Sequence, residues 1–118
     1  MNKDFTPYLP YVNVKDGMAR VINNLPLYMR LLGKFKGREL ANDLKKAVEN
    51  GDKDKIIYSA HAIKGTCANL GFPIVCKVAG EIEELAKKNE GVAHLTLELD
   101  KEIENLMDTI DKLSKELS

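Results

Sequence analysis

The sequence predicts an all-α protein: an antiparallel four-helix bundle with a short extra helix at its N-terminus. Three observations lead there. Apolar residues recur every three or four positions, the period of a helix with one buried stripe, and nothing reads as a strand pair. Segments open near Asn, Asp or Pro and close near Gly, the residues that start and stop helices. The connections between segments are short, so consecutive helices turn back on one another.

Residues 1–12 carry Pro7 and Pro10 among Tyr8, Leu9, Tyr11 and Val12. Prolines so spaced favour an extended arm, and the aromatics between them suit an arm laid against the body. Residues 13–118 form the bundle. Asn13 caps a short first helix through "VKDGMARVI", with Asp16 in its first turn. Asn24 caps the second, and Pro26 fits its first turn, where a missing N–H does no harm. The helical pattern continues through Leu40, Leu44, Ala47 and Val48 to Gly51, with Gly33 and Gly37 placed to kink it or split it in two. Asp52 caps a third helix from about Lys53 to Leu70, and Gly71 ends it. Pro73 opens a fourth, which runs to about Glu90 and stops at Gly91. The last helix carries Val92, Leu95, Leu99, Ile103, Leu106, Ile110, Leu113 and Leu117 on one stripe. That stripe also suits a dimeric coiled coil. It covers only about three heptads, however, and the other helices need an apolar partner, so a bundle core is the better reading.

The bulk composition narrows the function. A chain of 118 residues fits one domain, and 44% hydrophobic with 31% charged residues is a globular balance. Eighteen basic and eighteen acidic residues leave no formal net charge. A dedicated nucleic-acid or membrane-surface binder would show a basic excess. Cys67 and Cys76 have no metal-ligand spacing and read as reduced thiols of a cytoplasmic protein. The N-terminus has no apolar signal-like run, and no apolar run is long enough for membrane insertion.

The chemistry concentrates in "SAHAIKGTCANLG", Ser59 to Gly71. Ile56, Ala60, Ile63, Cys67 and Leu70 form the core stripe of the third helix. At about 100° per residue, His61 lies roughly 140° from the centre of that stripe. Gly65 lies one turn on, Ala68 falls nearly in line with His61, and Lys64 stands between His61 and the core edge. The exposed face therefore offers an imidazole, a nearby ammonium and two residues with little side chain. A neutral imidazole is a competent nucleophile at cellular pH. A phosphoryl group on it would carry negative charge, which Lys64 could partly neutralise. Glycine inside a helix costs about 1 kcal/mol relative to alanine, and that penalty is explained if Gly65 gives another protein access to the imidazole. The plainer readings are a solvated surface histidine, a chance H-x-x-K pair and a glycine kink. His94, near the loop after Gly91, reads as solvated.

"AHAIKGTCANLG" resembles the core motif of histidine-containing phosphotransfer domains: H-x-x-K-G, a small-residue stretch, an Asn-Leu pair and a glycine. "NVKDGMARVINNLPLYMRLLGKF" is similar to the family's opening, and "AGEIEELAKKNEG" to the helix after the motif, with an acidic residue twenty-two positions after the histidine. The resemblance covers roughly residues 12–91. It implies that His61 accepts and donates a phosphoryl group, that Lys64 interacts with it, that Gly65 provides clearance and that Glu83 orients the imidazole. It also implies docking at Ala68 and Asn69. The implied partners are response-regulator receiver domains and a hybrid sensor histidine kinase. The chain would carry no cofactor of its own, with Mg²⁺ expected on the partner receiver. Kinase nucleotide-binding motifs are absent, so the chain is not expected to phosphorylate itself from ATP. Which ring nitrogen is modified stays open. The alternatives are a helical adaptor that binds a signalling partner without carrying phosphate, and a metal-binding bundle, for which the two histidines lack the spacing.

Overall fold

The computed structural model describes residues 4–118. Among the described residues six α-helices follow in order: α1 (Val14–Arg20), α2 (Leu25–Lys34), α3 (Gly37–Glu49), α4 (Lys53–Leu70), α5 (Pro73–Lys87) and α6 (Ala93–Leu117). Among the described residues there is no strand. The packing of α3 on α4, α4 on α5, α5 on α6 and α6 on α3 closes a ring of four helices, and the most extensive contact is between α4 and α5. The short α1 packs on α4, and α2 lies against both α4 and α6. The fold is the all-α bundle read from the sequence.

The stop and start signals act as their chemistry dictates. The side chains of Asn13, Asn24 and Asp52 each accept a hydrogen bond from the backbone N–H three residues on, capping α1, α2 and α4. The buried residues of α4 are Ile56, Ala60, Ile63, Cys67 and Leu70, the stripe expected from spacing. On α6, Leu95, Leu99, Ile103, Leu106, Ile110 and Leu113 are buried. They face the other helices of the same chain, so this stripe is bundle core.

Helix α1 ends at Arg20, before the expected Ile22, which takes a left-handed φ of 53°. Three further boundaries differ from expectation, each for a local reason. The long second helix is split, not merely kinked: Phe35 leaves helical geometry at φ −68° and ψ 116°. Its ring is buried and meets Phe72 edge-on, with centroids 5.0 Å apart. A favourable aromatic pair of this kind compensates for an interrupted helix. The bundle is thus preceded by two short helices instead of one. Helix α5 ends at Lys87, before the expected Glu90, because Asn89 adopts a left-handed φ of 58°. Asparagine tolerates that region better than most residues, so it acts before Gly91 does. The expected N-terminal arm, residues 1–12, is extended only in part. Its residues 1–3 lie outside the described residues, and Thr6–Tyr8 form one 3-10 turn. Val12 at its end is fully buried.

The α4–α5 hairpin positions everything that follows. Gly71 ends α4 in the left-handed region at φ 81°, and the Phe72 N–H bonds back to the Cys67 carbonyl. The Gly71 carbonyl accepts from the Asn13 N–H at 2.7 Å. The Tyr28 hydroxyl donates to the Leu70 carbonyl at 3.0 Å. The end of α4 is therefore fastened to both short helices. A side chain at position 71 would suffer twice: the φ is unfavourable, and a Cβ would lie 2.5 Å from the Asn13 carbonyl oxygen. Gly71→Ala is expected to lower unfolding stability by about 1–3 kcal/mol, read from the urea midpoint. An unchanged midpoint would show that the turn relaxes freely.

Candidate functional site

The antiparallel hairpin sets one face of α4 beside one face of α5. Lys64 meets Cys76, whose thiol donates weakly to the Lys64 carbonyl at 3.6 Å, and His61 meets Glu83 one turn away. As the α4 numbers fall, the α5 numbers rise, which is the register of an antiparallel pair.

The His61 side chain is 68% exposed, and its Nδ1 lies 2.9 Å from Glu83 Oε2. Glu83 itself is buried, with a side chain only 5% exposed. It occupies a position on the apolar stripe of α5, among Val78, Ala79, Ile82 and Ala86. A buried carboxylate must be paired and hydrogen-bonded to remain charged. Here Lys64 Nζ lies 3.4 Å from Oε1, and Lys87 Nζ lies 3.3 Å from Oε2. Burial pushes the Glu83 carboxyl upward. The hydrogen bonds from Lys87 and His61, with the charge of Lys87, outweigh that and hold it below the ordinary 4.5. The carboxylate is therefore an acceptor, and the imidazole nitrogen facing it carries the donated hydrogen. Nε2 takes no part in this contact.

The surroundings of His61 are open. A Cβ at Gly65 would meet nothing within 4 Å, so this glycine is not required by packing. Gly80 on α5 lies beside the Lys64 stem, where an added Cβ would stand 3.5 Å from Lys64 Cδ. Asn69 is exposed and Ala68 half-buried. Thr66 and Asn69 edge a groove lined also by Arg20, Val21, Leu31, Lys34, Phe35 and Leu70. His94 is exposed on α6. Cys67 is buried and its thiol is pushed up to about 12, by burial first and by neighbouring Cys76 second. Both cysteines are free thiols. Among the described residues no three His, Cys, Asp or Glu side chains converge as a metal site, and no helix is long and apolar enough to cross a membrane.

The structure thus brings His61, Lys64 and Glu83 together and leaves Gly65 clear above them. Lys87 was missed by sequence reasoning. Its signal was the Glu83-x-x-x-Lys87 spacing, acid before base at i and i+4, which places both on one helix face.

The Glu83 geometry has a pH signature. A carboxylate whose folded pKa is lowered adds stability above its unfolded value, and that stability is lost as pH falls through the folded value. Glu83→Gln is therefore expected to cost about 1 kcal/mol at pH 7. The difference from wild type should shrink as pH drops below the ordinary carboxylate range, where both side chains are neutral. Denaturant titrations of the two proteins across pH 2 to 7 check this (a range of about two units either side of the carboxylate value). A difference that persists at the lowest pH would mean that charge at Glu83 is not what stabilises the hairpin.

Comparison with known proteins identifies the family and the fold. The Hpt domain family model matches residues 34–113. The fold is similar to histidine-containing phosphotransfer protein B (HptB) of Pseudomonas aeruginosa PAO1, with a TM-score of 0.82 and 19% identity over 92% of this chain and 97% of that one. It is also similar to the HPT domain of the Hpt sensor hybrid histidine kinase from Shewanella, with a TM-score of 0.74 and 18% identity over 91% and 96% of the two chains. No curated protein sequence matches the chain significantly. At these identities the structural likenesses establish the fold, while the family match spans more than half of the sequence and includes the His61 motif. The chain belongs to the Hpt domain family and serves histidine phosphotransfer in phosphorelays.

Proposed function

We propose that His61 is the phosphoryl carrier, through Nε2, between the aspartates of response-regulator receiver domains. A hybrid sensor histidine kinase feeds the relay, and the protein works in the cytoplasm. The observation that carries this reading is the pairing of an exposed imidazole with a buried carboxylate through Nδ1.

The steps follow from the residues. The Nε2 lone pair attacks the phosphorus of an aspartyl phosphate. A P–N bond forms, the P–O bond to the aspartate breaks, and the carboxylate leaves with the electron pair. Positive charge develops on the ring as Nε2 gives up its lone pair, and Glu83 stabilises it through the Nδ1–H contact. Lys64, half-exposed and one turn along α4, would meet the transferred phosphoryl oxygens. Return of the group to a second receiver is the same sequence reversed. Magnesium bound on the receiver supplies further charge neutralisation. The bundle adds orientation: transfer needs donor, phosphorus and acceptor in line, and α4 is a rigid mount for the imidazole. Docking spreads over the small and exposed residues beside His61, including Ala68 and Asn69.

His61→Gln tests the assignment. It should abolish acceptance of phosphoryl from a phosphorylated receiver while helix content stays unchanged and stability shifts by no more than about 0.5 kcal/mol. Undiminished labelling would move the carrier role to His94 or another group, and an adaptor that never carries phosphate would show no label on the wild-type chain either.

Gly65→Gln tests access. Because the site is empty of neighbours, the isolated variant should keep its stability or gain up to ~1 kcal/mol. Its side chain would stand where a receiver approaches, so receiver binding should weaken by more than about 2 kcal/mol, with transfer falling alongside. Labelling by the small donor phosphoramidate should largely survive. A variant that is less stable yet transfers normally once folded would mean the glycine serves the fold.

A further inference from the structure

Three donors share the two oxygens of Glu83, and they share them unequally. Oε2 binds His61 Nδ1 at 2.9 Å and Lys87 Nζ at 3.3 Å. Oε1 pairs with Lys64 Nζ at 3.4 Å. The two lysines also differ in origin. Lys64 stands on α4 with His61, one turn along and about half exposed. Lys87 stands on α5, one turn from Glu83 itself, and grips the same oxygen that the imidazole uses.

A phosphoryl group on Nε2 would change this balance. It brings up to two negative charges near a buried carboxylate. Lys64 has reason to leave Oε1 for the phosphoryl oxygens, which are the stronger attraction and more exposed to solvent. Glu83 would then face both the loss of one counter-ion and the approach of like charge. An unpaired buried carboxylate either takes up a proton or turns away, and each outcome would release Nδ1.

Building on the carrier role of His61, we propose that Lys87 is a positioning residue, the standing counter-ion of Glu83 that keeps Oε2 on His61 Nδ1 while Lys64 crosses to the phosphoryl group. One consequence separates this from a surface ion pair. The need for Lys87 arises from the charge on Glu83, so a neutral amide at position 83 should remove it. Lys87 is about half exposed, so its substitution leaves the core untouched.

The experiment uses the whole chain as wild type, Lys87→Met, Lys87→Arg, Glu83→Gln and the Glu83→Gln/Lys87→Met double variant. Phosphoryl acceptance is timed with a phosphorylated receiver and, separately, with phosphoramidate. Lys87→Met should slow acceptance about tenfold with both donors, in the range expected when a residue supporting a reactive group is lost. Lys87→Arg should restore most of the rate. In the Glu83→Gln background, Lys87→Met should have no further effect. A Lys87→Met rate within about twofold of wild type, the same loss with or without Glu83, or slowing by the receiver alone would overturn the proposal; the last would make Lys87 a docking contact. A wild-type chain that takes no label from either donor would bring down the carrier role and this inference together.

Discussion

A carboxylate placed where a core residue belongs organises this protein. Glu83 lies on the apolar stripe of α5 and is nearly excluded from solvent. Such a group is tolerable only when charged partners surround it. The partners come from two helices: His61 and Lys64 from α4, and Lys87 from α5. The same contacts that make burial of Glu83 tolerable fix the rotation of the imidazole. The burial of Glu83 and the orientation of the imidazole therefore rest on one cluster.

That cluster depends on how closely α4 and α5 pack and on their register. Register is set at the turn by Gly71 and Phe72. The left-handed Gly71 lets the chain reverse at once, and Phe72 is buried against Phe35. The short N-terminal helices secure the turn from outside through Asn13 and Tyr28. They contribute no side chain to the cluster, yet they hold the hairpin end that aligns it. Beyond the turn, Ile63, Ala79 and Ile82 are fully buried, and each large apolar side chain so buried contributes about 1.5–3 kcal/mol. The His61 face can be left open because the opposite face of the same helix carries the stabilisation.

Much of this was legible in the sequence because it is local. The α4 stripe follows from spacing alone, and the position of His61 opposite that stripe follows from the helix angle. The caps at Asn13, Asn24 and Asp52 are chemical signals within one turn of their targets. Other features depend on contacts distant in sequence. The break at Phe35 answers to Phe72, which no local pattern reveals. Asn89 ended α5 where Gly91 was expected, because both residues suit the left-handed region. The place of Glu83 came from family resemblance, although an acid in an apolar stripe is itself a signal. The share of Lys87 was visible only as an i, i+4 pair, a pattern common on solvated helix faces.

In this account, Glu83 determines which ring nitrogen reacts. With Nδ1 bound to the carboxylate, Nε2 is the atom presented to solvent and to a docked receiver. Nitrogen-15 and phosphorus-31 NMR of the phosphorylated, ring-labelled protein tests this directly. The account predicts phosphorus coupled to Nε2 of His61, with a proton retained on Nδ1. Phosphorus bonded to Nδ1 would contradict it, since that atom could not then be held by Glu83.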